Sequence, residues 1–303
     1  MLVEYHNTLL RRSRLKNTTI DIRPVSMNTG AEIRGVDLTQ PLLDRTYLEI
    51  RNALNEYGVI FFRDQDITPG QHLAFTERFG EVEFDDTSSL GNPEGFPMIA
   101  EVRKEPESTR NIGGNWHSDH SFDPLPPLGA VLLARELPDY GGDTLFASMY
   151  AAYDALSDGL KKTLEGLRAV HAKTRAYVGL TPERALKPGE KAELDQEFAA
   201  REAVHPVAPR HPESGRRVLF VNPTYTVRFE GWTEKESAPL LDYLFRHATR
   251  PEFTYRFQWQ EGSIAFWDNR SVWHYALNDY HGSRRLMHRI CIKGTGFGAG
   301  VGQ

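Results

Sequence analysis

The chain of 303 residues contains a single cysteine, Cys291. One cysteine excludes an intrachain disulfide framework, a cysteine-rich zinc site and a cysteine-ligated iron–sulfur cluster. The fold must therefore rest on buried apolar surface, and a chain of this length can bury roughly three quarters of the surface that it exposes when unfolded. Because the chain also has eleven histidines, nitrogen and oxygen are the expected ligand atoms for any bound metal.

The charge balance argues against nucleic acid as a partner. The chain has 36 Lys and Arg against 41 Asp and Glu, a formal charge of −5, and 40% hydrophobic residues. No apolar run reaches the roughly 20 residues of a membrane-spanning helix. The apolar residues of the N-terminus precede its basic ones, the reverse of a secretory signal. We expect a cytoplasmic protein that binds a small molecule and neither nucleic acid nor a membrane.

Short strand-like runs alternate with helical stretches from residue 19 onward. Apolar, β-branched and aromatic content predicts buried strands over 58–64, 129–137 and 263–268. Apolar steps of three and four predict a helix over 47–57 and another over 149–160. This content favours a sandwich of strands decorated by helices over a βαβ repeat.

Two further helices are predicted from local signals. Thr68 and Pro69 supply an N-cap and a first-turn proline. The stretch 233–247 predicts a helix in which Pro239 limits the upstream extent. The expected organisation is an N-terminal extension over 1–18, a single domain over 19–293 and a flexible glycine-rich tail over 294–303.

Three polar side chains have the types of a metal-ligand set. On an extended strand His117 and Asp119 project to the same face, and His274 follows an apolar strand in WDNRSVWHYA. Two imidazoles and one carboxylate cover one face of an octahedral iron and leave three positions open. A single His-x-Asp pair is by itself a weak signal.

The segment RRLMHRICI at 284–292 predicts a strand with two arginines on one face. Alternation places Arg285, Met287, Arg289 and Cys291 together. Two inward guanidinium groups are costly unless each meets an anion. An arginine eleven residues beyond His274 could anchor an acid that chelates the metal.

Seven segments, taken together and in order, resemble one family. They are GAEIRGVDLTQPL (30–42), GVIFFRDQDIT (58–68), RFGEV (78–82), NWHSDHSF (115–122), YGGDTLFASMYAAYDAL (140–156), WDNRSVWHYA (267–276) and RRLMHRICI (284–292). The chain resembles, from about Ile20 to Gly294, the Fe(II)/2-oxoglutarate-dependent dioxygenases of the taurine dioxygenase and dichlorophenoxyacetate dioxygenase family. The resemblance implies a mainly β fold with peripheral helices, a double-stranded β-helix of the cupin-like jelly-roll type.

The resemblance also implies the cofactors and the roles of particular residues. Position by position, it makes His117, Asp119 and His274 the catalytic iron ligands. It assigns the distal carboxylate of 2-oxoglutarate to Thr144 and Arg285, and it places Arg289 near the cosubstrate and the acidic group of the substrate. The implied reaction uses Fe(II), 2-oxoglutarate and O2, releases succinate and CO2, and hydroxylates a small substrate that can then fragment.

The chain departs from the taurine-specific members of that family at two places. The stretch after RFGE is acidic, with Glu83, Asp85 and Asp86 where those enzymes have a histidine, and Gly113-Gly114 replaces an asparagine. We therefore expect an anionic or zwitterionic substrate other than taurine. The candidate substrate residues are Asn115, Phe122, Asp85 and Arg289. The resemblance further implies a homo-oligomer, a dimer or a tetramer.

Two other classes of function use the same residues. A zinc-dependent hydrolase could be built on the His/Asp/His set. A non-catalytic jelly-roll binding module is the third interpretation. The pair Arg285 and Thr144 argues against the hydrolase, because hydrolysis needs no second chelating acid. The presence of all three metal-ligand residues argues against a non-catalytic module.

Overall fold

Fourteen strands and five helices make up the regular structure of residues 19–84, 91–173 and 201–297, which the computed structural model describes. The strands are β1 (Asp21–Pro24), β2 (Ala31–Arg34), β3 (Val59–Phe62), β4 (Val82–Glu83), β5 (Ala100–Lys104), β6 (Gly129–Glu136), β7 (Thr144–Ser148), β8 (Arg168–Ala172), β9 (Glu202–Pro206), β10 (Thr226–Phe229), β11 (Thr254–Phe257), β12 (Ile264–Asp268), β13 (Val272–Ala276) and β14 (Arg285–Ile292). The helices are α1 (Asp44–Tyr57), α2 (Pro69–Glu77), α3 (Met149–Asp154), α4 (Asp158–Glu165) and α5 (Glu234–Ala248).

The strands form one large sheet and two small ones. The large sheet has the order β1-β2-β3-β12-β6-β14-β4, and β5 also pairs with β14. The first small sheet, β11-β7-β13, packs against the large sheet and is called the minor sheet below; the second is β10-β8-β9. The predicted class, mainly β with peripheral helices in a jelly roll, is confirmed.

The continuous apolar run of β3 reflects burial on both of its faces. Val59 and Phe61 point between the large and minor sheets, where the Phe61 ring stacks 4.1 Å from Phe257. Ile60 and Phe62 point to the opposite side and pack under α1 and α2. All four side chains are fully buried, and burying each contributes about 1.5–3 kcal/mol. The strand therefore has no polar face, and the predictions for β6 and β12 are confirmed for the same reason.

The helix predicted over 149–160 is in fact two helices. The first, α3, ends at Asp154, and Ser157 then acts as the N-cap of α4 by accepting a hydrogen bond from the backbone N–H of Leu160. Serine competes for backbone partners and favours helix starts over helix interiors. The apolar residues do recur at helical spacing, but the helix is interrupted between Asp154 and Asp158.

The prediction that Pro239 limits the upstream extent of its helix is wrong. Helix α5 begins at Glu234, and Pro239 lies inside it. A capping box fixes the start, because Thr233 accepts from the backbone N–H of Glu236 while the Glu236 carboxylate accepts from that of Thr233. The N-cap predicted at Thr68 and the first-turn proline at Pro69 are confirmed for α2, where Gln71 completes a capping box of the same kind.

The termini lie largely outside the described residues. This applies to the predicted extension over 1–18 and to residues 298–303 of the predicted tail. Phe297, within that tail, packs its ring 4.5 Å from Phe220. Among the helices of the described residues, none combines the length and the apolar character that crossing a membrane requires.

Candidate metal centre and cosubstrate pocket

The minor sheet places two of the predicted site residues on one face. His274 lies on β13 opposite Phe146 of β7, and Thr144 lies two residues before Phe146. Because side chains alternate along a strand, Thr144, Phe146 and His274 share a face. On its other edge, β7 pairs with β11, where Phe257 lies opposite Thr144.

The segment around His117 is not the extended strand that we predicted. His117 forms an isolated bridge, in which its backbone N–H bonds to the His274 carbonyl at 3.1 Å and its carbonyl accepts from the His274 N–H at 2.8 Å. The chain then turns at Asp119 and His120, whose φ is 44°. The prediction of a strand is wrong, but a single bridge and a turn bring His117 and Asp119 to the same place.

The three predicted ligands converge in a buried cluster. One ligand atom from each of His117, Asp119 and His274 lies within 4.8 Å of the others. Asp119 Oδ1 is 3.6 Å from Nε2 of His117 and 3.7 Å from Nε2 of His274. The side chains are only 6–9% exposed, so the cluster is screened from bulk water.

The protonation states of the cluster suit a divalent cation. Burial lowers the pKa of His274 to about 3, and this effect outweighs the Asp119 carboxylate, which acts in the opposite direction. Burial alone would raise the pKa of Asp119, but the neighbouring histidines and Arg289 outweigh it and hold that pKa well below its ordinary range. Metal binding requires a neutral imidazole and an ionised carboxylate, and both are provided.

Hydrogen bonds orient the two imidazoles differently. Nδ1 of His117 is 2.7 Å from the Asn115 carbonyl, so Nδ1 carries the proton and Nε2 keeps its lone pair for a ligand. Among the described residues, Nδ1 of His274 and Oδ2 of Asp119 are buried without a hydrogen-bond partner. Buried polar atoms are rarely left unpaired, and a metal ion is the kind of group that satisfies a carboxylate oxygen such as Asp119 Oδ2. The nitrogen of His274 that faces the cluster is Nε2, 3.7 Å from Asp119 Oδ1. The donor set fits Fe(II).

The turn at Asp268 and Asn269 is buried and polar, and it bonds to the backbone next to the metal cluster. Asn269, fully buried, accepts hydrogen bonds through Oδ1 from the Asp119 backbone N–H at 3.3 Å and from Trp267 Nε1 at 2.9 Å. Its carbonyl accepts from the Ser118 hydroxyl at 2.8 Å. Asp268, one residue earlier, bonds to His211 and to Arg270. The turn thus fixes the backbone that carries the Asp119 carboxylate.

Strand β14 provides both predicted arginines, as its alternation indicated. Arg289 Nη1 lies 3.4 Å from Asp119 Oδ1, so its guanidinium borders the metal cluster. Met287 and Cys291, on the same face, join the core between the two sheets, and Ile292 joins the core under the helices. The predicted division of the strand into two faces is confirmed.

Arg285 is the first residue of β14, four positions before Arg289, and its side chain is buried. Among the described residues, its Nε and Nη2 have no hydrogen-bond partner, although Tyr280 makes a hydrogen bond with the same guanidinium. Burial lowers the pKa of Arg285, while Tyr280 and Asp143 oppose that shift. The ring of Trp259 faces the guanidinium at 5.7 Å, and Trp259 Nε1 donates to Thr144 Oγ1 at 3.0 Å. Two free donors on a buried cation fit a carboxylate.

The four candidate substrate residues have different positions. Arg289 borders the metal cluster, as described above. Asn115 is exposed and touches the cluster through its carbonyl, whereas Phe122 is 1% exposed and packs edge-to-face on Tyr225 at 4.9 Å. Asp85 lies outside the described residues.

Three residues that contact candidate site residues were not predicted from the sequence. Trp259 and Tyr280 contact Thr144 or Arg285, and the Tyr225 ring lies edge-on 6.4 Å from the His117 ring. Aromatic residues are usually core residues, and no spacing pattern distinguishes these three. Gly113 is also adjacent, since a Cβ placed on it would lie 3.4 Å from His117 Cε1.

Comparisons with known proteins identify the family of the chain. Residues 21–291 match the family model described as taurine catabolism dioxygenase TauD, TfdA family. The chain is 35% identical over 285 residues to an alkylsulfatase of Acinetobacter baylyi, covering 91% of this chain and 85% of that protein. It is 33% identical over 287 residues to an alpha-ketoglutarate-dependent sulfate ester dioxygenase of Pseudomonas putida, covering 91% and 90%. A solved taurine dioxygenase from Burkholderia xenovorans has a TM-score of 0.76 at 36% identity, covering 91% and 92%.

Proposed function

The chain belongs to the TauD/TfdA family of taurine catabolism dioxygenases. From this we propose which of its residues bind the iron and the cosubstrate, and which substrate it oxidises. It is a dioxygenase that depends on Fe(II) and on 2-oxoglutarate, also called alpha-ketoglutarate, and uses O2 to oxidise a small organic molecule. In our proposal His117, Asp119 and His274 hold the Fe(II). The observation that carries this assignment is the buried meeting of their ligand atoms within 4.8 Å.

We assign the far carboxylate of 2-oxoglutarate to Arg285 and Thr144. Arg285 offers two unpaired donors in a buried setting, where a carboxylate can accept both in a bidentate pair. When bound, the iron and the cosubstrate supply the activation of O2, with 2-oxoglutarate converted to succinate and CO2. The protein fixes the far end of the cosubstrate and keeps bulk water from the cluster.

The proposed substrate is a small alkyl sulfate ester. Two relatives are named for action on such esters, and Arg289 places a buried cation beside Asp119, where it can pair with a sulfate group. Hydroxylation at the carbon that bears the ester oxygen gives an unstable product. Its C–O bond breaks to leave an aldehyde, sulfate and a proton.

The test is a substrate panel at fixed Fe(II), ascorbate and 2-oxoglutarate. We expect succinate release to be fastest with a linear alkyl sulfate and slower with the matched alkanesulfonate, taurine and a phenoxyacetate. Inorganic sulfate and aldehyde should appear in a one-to-one ratio with succinate. The matched alkyl alcohol, which lacks the anion, is the control and should leave succinate release at its background rate.

Two outcomes would contradict this proposal. Fastest turnover with taurine or a phenoxyacetate would leave the dioxygenase class intact but overturn the choice of substrate. Sulfate release with the alcohol instead of the aldehyde, and without O2, would indicate hydrolysis on the same three ligands. The first outcome changes the role of Arg289, and the second changes the role of Arg285 and Thr144.

The homo-oligomer, the cytoplasmic location and the domain bounds at 19 and 293 remain predictions from the sequence. The first is checked by light scattering of the purified full chain, for which we expect the mass of a dimer or a tetramer. A mass of 34.5 kDa, that of one chain, would contradict it.

A further inference from the structure

Trp259 connects the two residues assigned to the far carboxylate of 2-oxoglutarate. It follows β11 and is 9% exposed. Its indole N–H donates to Thr144 Oγ1 at 3.0 Å, and its ring faces the Arg285 guanidinium at 5.7 Å. The pairing of β11 with β7 brings these residues together across 115 positions of sequence.

The direction of this hydrogen bond determines what Thr144 can offer. An indole N–H can only donate, so Thr144 must accept through its hydroxyl oxygen. The hydroxyl proton is therefore directed away from Trp259. Among the described residues, Trp259 is the hydrogen-bond partner of this hydroxyl, so its proton is available to an incoming acceptor. Donation into the oxygen also polarises the O–H bond, because linked hydrogen bonds strengthen one another.

We propose that Trp259 is a positioning residue for the cosubstrate, which orients the Thr144 hydroxyl to donate to the far carboxylate of 2-oxoglutarate. The proposal rests on the pocket assigned above to Arg285 and Thr144. Trp259 does not itself touch the carboxylate in this scheme. Its N–H acts through Thr144, and its ring covers one side of the Arg285 guanidinium.

The test is a double-mutant cycle read by binding. Trp259→Phe removes the N–H and keeps an aromatic face toward Arg285, and Thr144→Val removes the hydroxyl at nearly constant volume. Calorimetric titration of 2-oxoglutarate into the Mn(II)-loaded protein gives a Kd that does not depend on turnover. We expect Trp259→Phe to raise that Kd about 3- to 10-fold, the effect of one neutral hydrogen bond. In the Thr144→Val background the same change should have almost no further effect.

A second ligand and a control variant separate positioning from damage to the fold. Pyruvate has the 2-oxo acid end and lacks the far carboxylate, so Trp259→Phe should leave its Kd unchanged. The matched control is Trp232→Phe, a partly exposed tryptophan in the turn before α5, which should leave both Kd values unchanged.

The outcomes that would overturn the proposal are distinct. Equal effects of Trp259→Phe in both backgrounds would mean that Trp259 does not act through Thr144. A matching loss of pyruvate affinity would point to general disruption. If Thr144→Val itself leaves the 2-oxoglutarate Kd unchanged, the pocket assignment under the proposed function fails, and this proposal fails with it.

Discussion

Arg270 and Arg285 are both buried, at 2% and 5% exposure, yet their surroundings differ. Arg270 donates to both carboxylate oxygens of Asp268, at 2.9 and 2.6 Å, and to Glu213 at 2.9 Å. Arg285 keeps Nε and Nη2 without a partner among the described residues. Burial alone would lower both pKa values, but the carboxylates beside Arg270 raise its pKa, whereas that of Arg285 stays lowered. The paired arginine is part of the fold, and the unpaired one is prepared for an anion.

The physical reason is the cost of burying charge. A buried ion loses its hydration, and only well-placed partners compensate for that loss. Asp268 and Glu213 provide the compensation for Arg270 in the free protein. For Arg285 the carboxylate of bound 2-oxoglutarate can provide the compensation. The desolvated guanidinium therefore lowers the stability of the free protein, and the same guanidinium strengthens the binding of 2-oxoglutarate.

The largest expected effect comes from replacing Arg270. We expect Arg270→Met to lower the free energy of unfolding by about 3–5 kcal/mol, because the buried Asp268 carboxylate loses its guanidinium partner and keeps a hydrogen bond to the His211 side chain. Arg285→Met should leave that free energy unchanged or raise it, because it removes a buried charge that makes no ion pair with a carboxylate among the described residues. Urea denaturation of both variants measures the difference. If both variants lose the same free energy of unfolding, the hydrogen-bond partners of the two arginines do not explain how much each contributes to stability.

The reverse order is expected for cosubstrate binding. Arg285→Gln should weaken 2-oxoglutarate binding by about 2–5 kcal/mol, since it removes the charged partner of a desolvated carboxylate. Calorimetry on the Mn(II)-loaded protein measures this loss. The control is Arg284→Gln, the preceding residue, whose side chain is 39% exposed and pairs with Glu136 and Glu105. Unchanged affinity in Arg285→Gln would refute the role given to Arg285.

The smallest of the three effects is a decrease in the free energy of unfolding at acidic pH, caused by protonation of Glu213, the second carboxylate partner of Arg270. Burial would raise the pKa of Glu213, but hydrogen bonds from Arg51, Arg270 and Asn55 lower it from 4.5 to about 2. A carboxyl pKa lowered by folding stabilises fully above its unfolded value, and that contribution is lost as the pH falls through the folded value. We expect a loss of about 1–3 kcal/mol between pH 4.5 and 2, less than the full shift implies because Glu213 is partly solvated.

A matched variant isolates that contribution. Burial also lowers the pKa of His72 to about 3 and of His288 to about 4, so both histidines reduce stability as the pH falls below 6.5. Glu213→Gln keeps these histidines and removes the carboxylate. Urea unfolding from pH 6 to 2 should therefore show a shallower slope in the variant below pH 4.5. Identical slopes would mean that Glu213 does not contribute.

Strong local patterns made much of the fold predictable. Strand β3 is apolar throughout, and β6 and β12 are apolar over most of their length, because both of their faces are buried, and Thr68 with Pro69 marks the start of α2. The errors fall where local signals compete. Ser157 interrupts a correct helical period, and Pro239 is tolerated because the helix is fixed upstream by Thr233 and packed on its apolar face.

The site was predicted by residue type more than by local structure. His117 and Asp119 were expected on a strand and lie instead on a bridge and a turn. Two geometries of the same short segment bring the same side chains together, so the prediction of a metal-ligand set was insensitive to that error. Trp259 had no comparable signal, because its role depends on a hydrogen bond to a residue 115 positions away.

Three features of the protein could be predicted without its structure: the types of the metal ligands, the alternation that puts Arg285 and Arg289 on one face of β14, and the mainly β class. These follow from side-chain identity and from the two-residue period of a strand, which are local properties. Which buried arginine is paired depends on the tertiary fold, because Asp268 and Glu213 reach Arg270 through a turn and a distant loop, whereas Arg285 Nε and Nη2 have no hydrogen-bond partner among the described residues. The balance between desolvation and pairing depends on neighbours in space, and spacing along the chain does not specify them.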